Sequence, residues 1–297
     1  MADLTRRSIL QFTAAGTAAL IAGNLPVSSA RAGSPKKPIQ RRVKIRIGAM
    51  EGVVGGGGRR ALQTAKKCGL QGVQADAGRP EEILRICKEK VIEEFRSAIQ
   101  ETGVAVSSIC MGLLNRCPFV SDSRAPGWVR SVVDAAQKLG AKTILVPFFG
   151  RGALRTRSAM DKAAALAAEL APYAASKGIT LGLENTLSAE DNLYILEKAG
   201  NPKGLKIYYD VGNSTRARYN VPKEIRLLGK RICEIHFKDY KNGILGLGEV
   251  DFKNVAEAMA DIFYEGWIIL ETRRPLGIEI TAAKNEGYIR GLFERFK

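Results

Sequence analysis

The 297-residue chain contains a single histidine, His236. A multi-zinc cluster that needs several imidazoles cannot be built from it. Cysteine is scarce too: Cys68, Cys87, Cys110, Cys117 and Cys233 are odd in number, and no two are spaced C-x-x-C. Neither a zinc ribbon nor a redox dithiol fits that pattern. They read as core or surface thiols, with one oxidised pair left open. No apolar run beyond the N-terminus is long enough to span a bilayer, so stable membrane insertion is not expected. Acidic residues number 30 against 46 basic ones, a formal net charge of +16. The excess is spread along the chain, as in Lys66-Lys67, Lys230-Arg231 and Arg273-Arg274, and no aromatic-basic motif for nucleic acid accompanies it. A diffuse basic surface with some attraction for anionic ligands follows, with no nucleic-acid partner.

At the N-terminus, Thr5-Arg6-Arg7-Ser8-Ile9-Leu10-Gln11 resembles the twin-arginine (Tat) export motif. An apolar stretch from Phe12 to Leu25 follows, and Ala30-Arg31-Ala32 supplies small residues for cleavage. The competing reading is an amphipathic helix with a chance arginine pair. The order of the three parts favours residues 1–32 as a signal peptide, with the Tat machinery as a partner and a periplasmic or otherwise exported destination. Residues 33–41 read as a polar linker and 42–297 as one domain.

From Val43 onward, short β-rich runs alternate with amphipathic segments. Strands are expected at 43–49, 72–76, 104–110, 143–146, 180–184, 206–210, 232–237 and 267–271. Helices are expected at 59–68, 90–101, 128–139, 158–176, 189–198, 252–263 and 281–296. Gly69, Gly103, Gly140, Gly178 and Gly266 are placed to open the connection after a helix. Eight such units over this length fit an α/β fold of the (β/α)8 TIM-barrel type. A doubly wound open sheet shares the alternation, but it would not gather the ends of strands 5 to 8 around one point.

Those four ends carry the chemistry. Glu184, Asp210, His236 and Glu271 each close an apolar run, where an unpartnered charge would be costly to bury. Three carboxylates and an imidazole suit one hard-to-borderline divalent metal. Any one alone would pass as an ordinary strand-end polar residue; four in succession would not. The glycine run Gly55–Gly58 either cradles a phosphate or forms a mobile loop near the mouth. It lacks the Lys-Ser/Thr of a P-loop, which favours the loop.

The pieces Leu183-Glu184-Asn185, Tyr209-Asp210-Val211-Gly212-Asn213, Ile235-His236-Phe237-Lys238-Asp239, Leu245-Gly246-Leu247-Gly248-Glu249-Val250-Asp251-Phe252 and Leu270-Glu271-Thr272 resemble the xylose isomerase-like barrel superfamily, in its sugar phosphate isomerase/epimerase group. Gly69–Asp76 resembles that family's second strand. The resemblance implies one divalent metal on Glu184, Asp210, His236 and Glu271, with manganese first among manganese, cobalt, magnesium and zinc. As in the group's ketose 3-epimerases, Glu184 and Glu271 would be the acid/base pair across a metal-stabilised enediolate of a small carbohydrate. Export points to a non-phosphorylated sugar or keto-sugar, and pairing into a homodimer is common in the group. Where many of these epimerases carry a further histidine, this chain has Asn213. Substrate orientation then falls to Asn213, Lys238 or an arginine, with Asn185 and Asp76 as further contacts to hydroxyls. The single histidine also argues against the endonuclease IV-like branch and its three-zinc cluster. Two alternatives stay open: a lyase or dehydratase using the same groups, and a non-catalytic periplasmic carbohydrate-binding barrel.

Overall fold

Strand alternation determines this architecture. In a computed structural model that describes residues 42–296, eight strands run parallel: β1 (Lys44–Met50), β2 (Gly72–Asp76), β3 (Ala105–Cys110), β4 (Thr143–Pro147), β5 (Thr180–Glu184), β6 (Leu205–Asp210), β7 (Ile232–Phe237) and β8 (Glu265–Leu270). They close into a barrel in sequence order, with β8 returning to β1 from Lys44 opposite Glu265 to Ala49 opposite Leu270. The (β/α)8 fold is therefore as expected, while the signal peptide and linker fall outside the described residues.

Around the barrel lie α1 (Arg59–Lys67), α2 (Glu89–Thr102), α3 (Ala125–Leu139), α4 (Arg157–Ser176), α5 (Ala189–Lys198), α6 (Val211–Arg216), α7 (Val221–Leu228), α8 (Phe252–Asp261) and α9 (Ile278–Phe293). The pair α6 and α7 was not foreseen. Neither is long enough to show a clear helical period, and both start from side-chain caps: Asp210 accepts from the Asn213 N–H and Asn220 from the Lys223 N–H. Gly103 and Gly140 do end helices in the left-handed conformation. Gly266 does not. It lies within β8, and the left-handed residue after α8 is Phe263.

Because successive strand residues face opposite sides, each strand sends one set of side chains outward and the other into the barrel. Ile207, Tyr209, Ile235, Phe237, Ile268 and Leu270 join the large apolar shell beneath the helices. The alternate positions face inward, where Cys110, Leu145, Tyr208, Trp267 and Ile269 form a separate small cluster. Glycine makes room for its rings. A Cβ at Gly72 would stand 2.6 Å from the Trp267 ring, and one at Gly182 would stand 2.7 Å from Cys233 Sγ and 3.1 Å from Tyr208 Cβ. That plug closes the barrel centre and leaves the carboxyl ends of the strands to form a site above it.

Candidate metal centre

The inward parity that carries Tyr208 and Glu234 also carries the residues two positions further on. Asp210 ends β6, His236 is the penultimate residue of β7, Glu184 ends β5, and Glu271 follows β8. The Glu271 N–H still donates to the Phe237 carbonyl, so it remains part of the sheet edge. One ligand atom from each of the four lies within 4.8 Å of all the others. His236 Nδ1 is 3.1 Å from Glu184 Oε1, 3.2 Å from Glu271 Oε2 and 3.9 Å from Asp210 Oδ2. Glu184, Asp210 and His236 are buried and Glu271 is half-buried.

A partner the sequence reading missed decides which imidazole nitrogen faces that cluster. His236 Nε2 lies 3.1 Å from Gln74 Oε1. The Gln74 amide nitrogen is turned away, donating to Ser108 Oγ at 2.9 Å and Tyr208 Oη at 2.8 Å. Tyr208 in turn donates to Glu234 Oε2 at 3.1 Å. With its carbonyl oxygen towards the ring, Gln74 keeps the proton on Nε2, so that Nδ1 is the nitrogen that can give up its proton and offer a lone pair to a cation in the cluster. The sequence signal was a glutamine in the middle of an apolar strand, two residues before Asp76 and of the same parity.

The charges show what the cluster wants. Burial opposes a charged imidazole at His236, yet Glu184 and Glu271 outweigh it and carry its pKa up to about 10. Burial pushes Asp210 up to about 7 against the pull of Lys238. Burial would also raise Glu271, but its hydrogen bond to His236 and the charges of His236 and Lys238 hold it well below the usual carboxylate range. Lys238 Nζ sits 2.7 Å from Glu271 Oε2 and 2.9 Å from Asp210 Oδ2. Burial disfavours its charge, but the three carboxylates more than compensate and raise its pKa. Even so, Asp210 Oδ2 is buried and accepts no aligned hydrogen bond. An under-satisfied buried carboxylate oxygen, an Nδ1 whose proton a cation can displace and two further carboxylates fit a divalent cation.

The family model for the xylose isomerase-like TIM barrel matches residues 62–292. The chain belongs to the xylose isomerase-like TIM barrel family. Among curated relatives, it is 27% identical over 175 residues to the 2-epi-5-epi-valiolone 7-phosphate 2-epimerase of Actinoplanes sp.. That match spans 58% of this chain and 63% of the relative's length. It is 26% identical over 230 residues to the L-ribulose-5-phosphate 3-epimerase of Shigella flexneri, covering 71% of this chain and 80% of the relative. The D-allulose 3-epimerase of Methylomonas sp., solved with D-allulose, superposes with a TM-score of 0.70 at 19% identity, over 84% of this chain and 97% of that one. This last likeness is one of fold.

Buried carboxylates hold the loops around this mouth in place. Asp239, directly after Lys238, is buried and accepts three backbone N–H groups: Gly246 at 2.9 Å, Gly248 at 2.8 Å and Val250 at 3.1 Å. A Cβ at Gly248 would lie 2.3 Å from Asp239 Oδ1, so the Gly-x-Gly of this loop lets the backbone close on the carboxylate. Glu51 does the equivalent for the glycine run. Its Oε1 accepts from the Gly58 N–H, and its Oε2 accepts from the Asp76 N–H and from Arg85. Gly55–Gly58 is thus tied to β2 instead of hanging free over the mouth.

A cavity of about 570 Å³ opens beside the cluster, lined by Asn213, Arg216, Lys238, Lys241, Asn242, Glu271 and Arg273 among others. Of the proposed substrate contacts, Asn213 and Lys238 reach it. Asp76 lies instead on a second cavity, with Arg79 and Arg116. The Asn185 amide is engaged inside the β5–α5 connection, donating to Asn192 and accepting from the Leu187 N–H. Arg216 and Arg273 had not been singled out, because in a basic chain nothing local distinguishes them from other surface arginines.

Proposed function

We propose that this protein is a divalent-metal-dependent sugar epimerase or isomerase that moves a proton next to a keto-sugar carbonyl. The observation that carries this reading is the convergence of Glu184, Asp210, His236 and Glu271, from four successive strands, on one ligand-sized point. Epimerase relatives agree with it. The ion, manganese by preference, would withdraw electron density from the carbonyl and spread the charge that develops on its oxygen.

Asp210 and His236 hold their atoms rigidly, Asp210 because its second oxygen caps α6 and His236 through Gln74. Glu184 and Glu271 are the acid/base pair. β5 and β8 are three positions apart around the closed barrel, so their carboxylates approach the centre from well-separated directions. Each can then address a different face of a carbon held between them. Lys238 holds Glu271 in its charged form, the form a base requires. Export by the Tat pathway, a periplasmic location, a non-phosphorylated sugar and pairing into a homodimer belong to the same proposal.

Elemental analysis of the purified chain, with proton exchange of ketoses in deuterated solvent, tests it. One equivalent of divalent metal and solvent deuterium on the carbon beside the carbonyl are expected. Glu184→Gln and Glu271→Gln each should abolish the exchange, by about 10³-fold or more if they are the transferring groups. Metal binding without exchange for any ketose would leave a carbohydrate-binding barrel as the better reading.

A further inference from the structure

Resting on that reading of the reaction, though not on its non-phosphorylated substrate, we propose that the cavity beside the metal centre takes a sugar bearing an anionic group, carboxylate or phosphate, held by Arg216 and Arg273. Both arginines line the cavity, whose volume falls in the range of small-ligand sites, about 300–1,000 Å³. Both are exposed, and neither side chain makes an ion pair or hydrogen bond with another described residue.

The acidic groups that share the cavity cannot serve the two arginines. Asp239 is taken by three backbone N–H groups, and Glu271 by Lys238 and His236. Lys241, the remaining cation on this wall, is paired with Glu249. Inside the cluster, a bound divalent ion together with Lys238 would balance the three carboxylates. A neutral ligand would therefore leave two guanidinium charges facing it uncompensated, in a cleft that concentrates their field. Their tethers suit the task. Arg216 closes α6, the short helix that Asp210 caps, and Arg273 follows Glu271 by two residues. Each arginine is thus close in the chain to a residue of the cluster, and both line the cavity that opens beside it. The planar guanidinium donates in pairs to a carboxylate or phosphate, and a hydroxyl cannot accept in that way.

The test uses the full chain in phosphate-free buffer with manganese, and three ligands of one skeleton: fructose, fructuronate and fructose 6-phosphate. Calorimetry should show one of the two anionic ligands binding about tenfold or more tighter than fructose. The advantage should vanish in the Arg216→Gln/Arg273→Gln double variant and shrink as salt is added. Preference for fructuronate identifies a carboxylate, and preference for fructose 6-phosphate a phosphate. No preference, whether the three bind alike or none binds, overturns the proposal, as does a preference that survives the double substitution. Manganese binding is titrated separately. Manganese bound without anion preference removes this inference alone, anion preference without manganese removes the metal reading alone, and loss of both removes both.

Discussion

Replacing Gln74 with methionine tests how the metal centre is built. Methionine keeps the volume and apolar character of the β2 position inside the barrel. It removes the oxygen 3.1 Å from His236 Nε2 and the donor to Ser108 and Tyr208. Tyr208 keeps Glu234 as an acceptor. His236 has no such reserve: it is 1% exposed, so its Nε2–H would be left buried without a partner, at about 1–3 kcal/mol. The imidazole can relieve that cost by moving its proton to Nδ1, the nitrogen the metal needs bare. Loss of comparable orienting partners in other metal sites costs 10–100-fold in affinity, or about 1.4–2.7 kcal/mol. Calorimetric titration with manganese should show a loss of that size, with stoichiometry unchanged. The single histidine makes a second assay direct, because its ring nitrogens form one set of nitrogen-15 signals. In the zinc-loaded chain these should show Nε2 protonated and Nδ1 bare. Equal manganese affinity in Gln74→Met and the parent chain, or a bare Nε2 in the parent, refutes the tautomer argument.

Three further outcomes are expected. His236→Ala removes the only nitrogen ligand, and the metal should fall well below one equivalent in elemental analysis; unchanged stoichiometry and affinity would sink the site. Asp239→Ala frees three backbone N–H groups in the loop after β7, at about 2–4 kcal/mol. For a barrel of this size that is a fall in Tm of about 5–15 °C by calorimetry, and a shift under about 2 °C contradicts the stapling role. Gly72→Ala forces a methyl group against Trp267 and should destabilise by about 1–3 kcal/mol in urea unfolding. Gly127→Ala in α3, where a Cβ meets nothing within 4 Å, should be neutral or stabilising, and equal losses at both positions would refute the packing argument.

Much of the scaffold was legible because its signals are local. The eight strands were anticipated to within two residues, since each is a short β-rich run bounded by turn residues. The α6–α7 pair escaped because its first helix begins directly after Asp210, which caps it, and runs for only six residues. At the site, Glu184, Asp210, His236 and Glu271 could be found because each interrupts an apolar run at the same point in its β/α unit. Asn185 read equally well as a substrate contact, yet its amide is used by a neighbour seven residues away. A strand-end amide looks the same whether it faces a ligand or braces a turn.

Period-two alternation and the spacing of β/α units therefore sufficed, from sequence alone, to name the fold and the four residues that meet at its mouth. Which nitrogen of His236 faces them depends on Gln74, 162 residues away, and which arginines are free depends on where every nearby carboxylate is already engaged. These were decided by the tertiary structure. Closing the barrel determines which inward-facing groups meet across it, and hydrogen bonds between strands distant in sequence leave no periodic trace in the chain.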